Sequence, residues 1–132
     1  MSHIEPLDRA AITDPELLAL MARAEALGVP DDIFTRILAR VPGYAKVLLN
    51  ALLVSHGQGN VDHRLKEIIR IQLARFAGDS YFSALRSKTA LGAGLSEADI
   101  DAGCGDYDDD PRFTEAEKVA LRYADQDRKS VV

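Results

Sequence analysis

Four residues of one predicted helix carry side chains that could act together on a small molecule. Asp79, Phe82, Ser83 and Arg86 are spaced i, i+3, i+4 and i+7, which puts them on one face of a helix. Arg86 could hold a substrate carboxylate or enolate through two parallel hydrogen bonds. Asp79, or Glu67 on the preceding helix, could exchange a proton if burial raises the pKa of its carboxyl group. Such a site suits isomerisation, decarboxylation or lyase chemistry on a small organic acid or ring-cleavage product, without a redox cofactor.

The same residue types also have a purely structural interpretation. Asp79 stands where a helix N-cap is expected, and such a cap contributes about 1 kcal/mol. Arg86 could neutralise Glu67 and Asp79 inside the fold, because charges are kept in protein interiors when they are paired. The residue pattern leaves the catalytic and the structural interpretation equally open.

The elements that must position these residues are helices. The first begins at Thr13-Asp14-Pro15-Glu16, with a capping side chain and an early proline, and ends at Gly28 and Pro30. No stretch shows the sustained alternation of apolar and polar residues that is typical of a strand. The sequence therefore predicts an all-α protein of six or seven helices. They lie at about 15–27, from 32 to the break at Pro42 and Gly43, and at about 44–55, 63–76 and 79–91, followed by a short helix from 96 and a last helix from 115.

The third predicted helix is apolar on almost every side. Between Tyr44 and Ser55 its apolar residues are Val47, Leu48, Leu49, Leu52, Leu53 and Val54. A helix of this kind is either central to a core or buried at a subunit interface. The neighbouring aromatic residues Tyr81 and Phe82 have the same two interpretations.

Length and composition restrict the class of protein. The chain has 132 residues, of which 47% are hydrophobic and 28% charged, and this favours one domain. Residues 1–12, which include His3, are expected to form a flexible tail before the first helix. No apolar run reaches the roughly 18 residues of a membrane span, and residues 1–6 lack the basic and then apolar pattern that is typical of a signal peptide. A net charge of −5 gives no basic face for nucleic acid. Cys104 is the single cysteine, so no internal disulfide can form and the expected setting is reducing and cytoplasmic.

Neither the histidines nor the acidic loop predict a metal site. His56 and His63 flank a glycine-containing loop that fixes no ligand geometry, and Asp62 is better explained as a helix cap. His56 ends the apolar helix and could still line a site. The acidic loop from Asp106 to Asp110 lacks the ligand spacing of an EF-hand.

Four segments occur in a familiar order along the chain. They are LKEIIR at 65–70, AG at 77–78, GLSEADI at 94–100 and FTEAEKVALRYA at 113–124. With this order and spacing the chain resembles the carboxymuconolactone decarboxylase and alkylhydroperoxidase D-like superfamily, over roughly residues 28–125. The resemblance implies an alkylhydroperoxidase D-like helical fold that assembles as trimers, dimers or hexamers, with a site between two helices.

The functional residues of that superfamily are only partly present. Its thiol peroxidase branch carries a Cys-x-x-Cys motif, a histidine one turn later and a glutamate one helix earlier, and by resemblance the glutamate matches Glu67. The two cysteine positions hold Asp79 and Phe82, and the histidine position holds Arg86. A carboxylate and a phenyl ring cannot form a disulfide, and Cys104 lies outside the motif. Thiol peroxidase chemistry is therefore not expected.

The lactone decarboxylase branch carries histidines where this chain has Leu-Arg-Ser-Lys at 85–88. The favoured hypothesis is a cofactor-independent decarboxylase, lyase or isomerase that acts on a small organic acid or lactone. Its candidate catalytic residues are Glu67, Arg86 and Asp79, its candidate substrate-binding residues are Phe82, Ser83 and His56, and no metal or cofactor is expected.

Two alternative functions stay open. One is a non-catalytic binding or assembly protein on the same scaffold, and the other is residual peroxidase-type activity, which the missing cysteines disfavour. A homo-oligomer that contacts neither nucleic acid nor membrane is expected in each case. Family members continue beyond the helix at 113–124 with further helices, so the chain is expected to be a short form or a fragment that lacks them.

Overall fold

The structure is a computed structural model that describes the backbone of residues 4–129 and the side chains of residues 4–127. All regular structure in this range is helical, as the sequence predicts, and no strand occurs in it. The chain, expected to be one domain, divides into two compact units that meet in sequence at Asn60 and Val61. After a short 3-10 helix (Arg9–Ala11), the helices are α1 (Pro15–Leu27), α2 (Asp32–Leu38), α3 (Pro42–Gly57), α4 (His63–Phe76), α5 (Ser80–Ala84), α6 (Lys88–Gly92), α7 (Glu97–Cys104) and α8 (Glu115–Lys129).

Capping side chains begin the helices where the sequence places them. Asp14 accepts a hydrogen bond from the backbone N–H of Leu17 at 3.0 Å. Gly28 ends α1 with a φ of 78°, a left-handed conformation that glycine adopts without steric cost. Helix α8 begins with a capping box, in which the Thr114 N–H donates to the Glu117 carboxylate at 2.7 Å and the Glu117 N–H donates to the Thr114 hydroxyl at 3.3 Å.

The first unit buries one side of α1 against one side of α3. Leu17 and Met21 of α1 lie in the same cluster as Leu49 and Leu53 of α3, and all four are almost completely buried. Burying one such side chain contributes roughly 1.5 to 3 kcal/mol. The buried residues of α3 on this face are Ala45, Leu49 and Leu53.

Two arginines hold the segment that precedes α1 against α2. Arg36 Nε donates to the Leu7 carbonyl at 2.6 Å, and the Leu7 N–H donates to the Arg36 carbonyl at 3.3 Å. Arg40 Nε donates to the Glu5 carbonyl at 2.7 Å. This part of the expected tail therefore has defined contacts, whereas His3 lies outside the described residues.

The second unit is built around α4. Helices α5, α6, α7 and α8 all pack against it. Ile68 and Ile71 of α4 are buried together with Ile100 of α7 and Leu121 of α8. Helix α7 comes close because Gly103 has no side chain, and a Cβ atom there would overlap Cγ2 of Ile68.

The prediction of one helix over 79–91 is wrong, because the structure has two short helices there. Helix α5 ends at Ala84 and α6 begins at Lys88, so the residues described contain eight α-helices rather than six or seven. The backbone between them is extended at Leu85 and at Ser87. Arg86 lies in this break, so it does not continue the helix face that carries the other predicted site residues.

Candidate functional site

The carboxylate of Glu67 lies in the interior of the second unit and is bound at both oxygens. The Glu67 side chain is 1% exposed. Arg70, one turn later on α4, donates from Nε to Oε2 at 2.9 Å and from Nη2 to Oε1 at 2.8 Å. The backbone N–H of Ser87 also donates to Oε1, at 2.7 Å. Three hydrogen bonds thus satisfy the carboxylate, and one guanidinium balances its charge.

Arg70 connects this carboxylate to the break between α5 and α6. Its Nη1 donates to the Phe82 carbonyl at 2.6 Å, and its Nη2 donates to the Leu85 carbonyl at 2.7 Å. Carbonyls at the end of a helix have no partner within it, so a cation can satisfy them. The sequence prediction missed Arg70 and Ser87, and the three-residue spacing of Glu67 and Arg70 was the available signal.

The buried ion pair explains why the predicted helix is divided. In a continuous helix the N–H of Ser87 would donate to the carbonyl of Ser83, four residues earlier. It donates to Glu67 instead, and the Ser83 carbonyl accepts a hydrogen bond from Arg86 Nη1 at 2.7 Å. Hydrogen bonds to charged groups contribute about 1.5 to 3 kcal/mol, against about 1 kcal/mol for a neutral pair, which favours the break.

Arg86 pairs with Glu97, not with Glu67. Its Nε donates to Oε1 of Glu97 at 2.7 Å and its Nη2 donates to Oε2 at 2.9 Å. These hydrogen bonds raise the pKa of the Arg86 guanidinium, and the same pairing lowers the pKa of the Glu97 carboxyl. The two-bond geometry predicted for a substrate carboxylate is therefore present, with a carboxylate of the same chain in it.

The other predicted site residues of the second unit have local structural contacts. Asp79 caps α5 by accepting the N–H of Phe82 at 2.9 Å, as the structural interpretation predicts. The Ser83 hydroxyl donates to the Ser80 carbonyl at 3.2 Å. The ring of Phe82 lies edge-on to that of Tyr81, with the ring centroids 5.2 Å apart.

His56 belongs to the first unit, where it is half-buried in the last turn of α3. Two crevices in that unit have volumes of about 350 and 210 Å³. The larger lies beside Arg23 and Leu53, and the smaller lies beside Lys46 and Val47. Neither crevice is lined by a predicted site residue.

Cys104 is half-buried at the end of α7, beside the second core. Burial raises the pKa of its thiol, against the opposing charge of the Arg75 guanidinium. Because the thiolate is the reactive form, we expect this cysteine to be a poor nucleophile at neutral pH.

The acidic and histidine-containing loops do not form a metal centre in residues 4–127, where no group of three or more His, Cys, Asp or Glu side chains is arranged to hold an ion. Asp62 caps α4 by accepting the N–H of Arg64 at 2.9 Å. In the acidic loop, Asp108 accepts a hydrogen bond from Arg122 Nε at 2.6 Å. Over the part of the chain that is described, no helix is both long and apolar enough to cross a membrane.

Comparison with known proteins assigns no family to the chain. A scan against family models, a search of curated proteins and a search of solved structures each found no match. The likeness to the carboxymuconolactone decarboxylase superfamily therefore rests on the four sequence segments alone.

Proposed function

We propose that this protein is a non-catalytic binding or assembly protein on a helical scaffold similar to the carboxymuconolactone decarboxylase family. The observation that carries the proposal is the closed environment of Glu67. Its carboxylate is 1% exposed and accepts three hydrogen bonds, from Arg70 and Ser87. A general acid or base must reach a substrate proton directly or through one water, and Glu67 reaches donors of its own chain.

The competing hypothesis is a cofactor-independent decarboxylase, lyase or isomerase that uses Glu67 and Arg86 on a small organic acid or lactone. It requires Glu67 to leave Arg70 and turn toward a substrate. Breaking a buried ion pair in this way costs about 3 to 5 kcal/mol, because one charge stays behind without a partner. Peroxidase-type activity is disfavoured further by the raised pKa of the Cys104 thiol.

Substitution of Arg86 distinguishes the two hypotheses best. Its partner Glu97 has a side chain that is 63% exposed, and an exposed pair of this kind contributes no more than about 1 kcal/mol. A substrate carboxylate could therefore displace Glu97 at little cost. The enzyme hypothesis thus requires a ligand that binds at Arg86, whereas our proposal requires none there.

We also propose a homo-oligomer in a reducing, cytoplasmic setting. Exposed apolar side chains on α3, such as Tyr44 and Val47, support association with another protein surface. The single cysteine, Cys104, supports a compartment in which disulfides are not used.

Thermal unfolding of the full chain with a panel of small carboxylic acids and lactones tests the proposed function. A ligand that binds only the native state raises the unfolding midpoint, so we expect no compound of the panel to change it. Arg86→Gln is the test variant. Arg112→Gln is its matched control, because Arg112 also pairs with a carboxylate, of Asp110 at 3.1 Å, and with a carbonyl, of Ala98 at 2.8 Å.

A compound that raises the midpoint of the wild type and of Arg112→Gln, but not of Arg86→Gln, would favour the enzyme hypothesis, which requires a ligand at Arg86. Native mass spectrometry of the purified protein gives a second reading. We expect the mass of the chain or its oligomers with no organic acid bound, and an acid that is lost only in Arg86→Gln would contradict the proposal.

A further inference from the structure

Helix α3 has two apolar faces on opposite sides. The face in the first core consists of Ala45, Leu49 and Leu53. The opposite face, which we call the α3 stripe, consists of Tyr44, Val47, Ala51 and Val54. These stripe residues are exposed, with 59% for Tyr44, 72% for Val47 and 39% for Val54. The sequence predicts either a core or an interface for this helix, and the structure accounts for one face only.

The spacing of the α3 stripe is that of a helix-packing seam. Its members follow one another at intervals of three, four and three residues, as the a and d positions of two heptads do. A side chain at each of these positions inserts between those of a second helix laid alongside. The stripe therefore has the pattern for one helical partner, not only a general apolar character.

The order of side-chain sizes along the stripe suits a second copy of the same helix. In an antiparallel pair of α3 helices with a two-fold axis at Leu49, Tyr44 lies opposite Val54 of the other copy and Val47 lies opposite Ala51. Each layer then joins a larger side chain with a smaller one. A two-fold interface brings one surface against itself, so it needs this kind of self-complementary pattern. A helix of different sequence could pack on the stripe without requiring this order of side-chain sizes.

The residues that flank the stripe carry no charge. They are Val41, Gly43, Leu48, Asn50, Ser55 and Gly57. In the antiparallel arrangement Leu48 and Asn50 each face their own counterparts, and Gly43 faces Gly57. A Cβ atom at either glycine would meet nothing within 4 Å in the monomer, so a second helix can approach closely there.

The electrostatics of α3 are compatible with the same arrangement. Lys46 is the one lysine or arginine of this helix, and it lies off the stripe. Its Nζ is 3.1 Å from Asp14 Oδ2 and 3.0 Å from Glu16 Oε2, so carboxylates of the same copy compensate its charge. Two stripes can thus meet without like-charge repulsion.

We propose that the α3 stripe binds a second copy of this chain, as an antiparallel pair of α3 helices. The inference rests on the proposed function, because assembly is the activity that function specifies. The stripe and its flanks present about ten residues, whereas a standard interface has roughly 20 to 30 on each side. The dimer is therefore concentration-dependent.

Sedimentation or light scattering of the full chain over a range of concentrations tests this dimer. The molar mass of the wild type should rise from 14.4 kDa toward twice that value. Val47→Glu and Ala51→Lys should each stay monomeric, because each places a charge in the seam. An equal mixture of the two variants should regain the dimer. In it the introduced carboxylate of one copy faces the introduced ammonium group of the other, an arrangement that only the antiparallel register provides.

Val119→Glu is the matched control, since Val119 is 58% exposed on α8 and lies outside the stripe. It should leave the mass of the dimer unchanged, and circular dichroism should show that each variant keeps its helices. A wild type that is monomeric throughout, or a dimer lost in Val119→Glu but kept in Val47→Glu, would overturn the proposal. A mixture that stays monomeric would overturn the antiparallel register.

The outcomes separate this inference from the proposed function. A monomeric chain that binds none of the small acids would refute the α3 dimer and the homo-oligomer, but not the non-catalytic function. A stripe-dependent dimer that binds an acid at Arg86 would support the α3 dimer and favour the enzyme hypothesis.

Discussion

At the scale of single residues, the chemistry available to Glu67 depends on which arginine reaches it. Arg70 follows it by three residues on the same helix, and this offset brings two guanidinium nitrogens onto the two carboxylate oxygens. The Glu67 side chain is 1% exposed and that of Arg70 is 23% exposed. Such a pair adds little net stability, but removing one partner is costly because the other charge is left behind.

The first prediction compares this pair with the exposed pair of Arg86 and Glu97. Glu67→Gln should lower the free energy of unfolding by about 3 kcal/mol, because Arg70 loses its counter-charge. Arg86→Gln should lower it by only about 1 kcal/mol, because the Glu97 side chain is 63% exposed and solvent screens the pair. Urea denaturation of the full chain at pH 7 measures both values. The opposite ranking of the two variants would contradict the structural role assigned to Glu67.

At the scale of elements, α7 is positioned by its cap and by its contact with α4. Ser96 and Asp99 form a capping box, in which Asp99 Oδ2 accepts hydrogen bonds from the Ser96 N–H at 3.0 Å and from the Ser96 hydroxyl at 2.7 Å. Arg64 of α4 lies 3.4 Å from the same carboxylate oxygen. Farther along α7, the missing side chain of Gly103 gives room to Ile68.

The cap of α7 predicts a pH dependence. The hydrogen bonds from Ser96 hold the pKa of Asp99 below its ordinary value of 3.8. Because the folded pKa is the lower one, the ionised carboxylate stabilises the protein above the unfolded pKa, and this contribution is lost as the pH falls through the folded pKa. Asp99→Asn should therefore cost about 1 kcal/mol at pH 7. That difference should shrink at about pH 3 and below.

Urea denaturation of wild type and Asp99→Asn at several pH values measures this difference directly. Other carboxyl groups titrate equally in both proteins, so their contributions cancel. A difference that stays constant from neutral to acid pH would show that the charge of Asp99 does not stabilise the cap.

The approach of α7 to α4 gives a third prediction. Gly103→Ala should lower the free energy of unfolding by about 1 to 3 kcal/mol, because the new methyl group overlaps Cγ2 of Ile68. Gly92→Ala, at a position of α6 where a Cβ atom meets nothing within 4 Å, is the control. It should be neutral or slightly stabilising, because alanine is less flexible than glycine in the unfolded chain. Thermal unfolding compares the two, and equal effects would rule out a close contact at Gly103.

At the scale of the whole molecule, the described residues form two buried clusters and leave several apolar side chains exposed. Each unit has roughly 60 to 70 residues, a size at which one hydrophobic core gives marginal stability. Val47 and Tyr123 are 72% and 73% exposed. Association of two copies would remove part of this surface from water and so stabilise the folded state.

The fourth prediction follows from mass action. If α3 dimerises, the thermal midpoint of the wild type should rise by a few degrees over a roughly hundredfold increase in protein concentration. The midpoint of Val47→Glu should not change with concentration. Differential scanning calorimetry of both proteins provides the comparison. Parallel behaviour of wild type and variant would mean that the stripe does not take part in assembly.

The sequence by itself determined the helical class and most helix ends. Asp14 and Asp62 cap helices at the predicted places, the last helix begins at 115 as predicted, and Gly28 ends α1 as predicted. These signals can be read from sequence because a cap acts within one helical turn, on backbone groups two to four residues away. The residue types of the candidate site were also evident from the sequence, and so was the interpretation of Asp79 as a helix N-cap.

The tertiary structure alone decided which residue each charged group contacts. Ser87 donates to Glu67 across 20 residues, and Arg70 reaches the carbonyls of Phe82 and Leu85 across 12 and 15. These long-range hydrogen bonds divide the predicted helix, and Arg86 pairs with Glu97. Packing likewise decided which face of α3 enters a core. No local pattern specifies these choices, because they depend on groups far apart in sequence that compete for one buried carboxylate and one apolar surface.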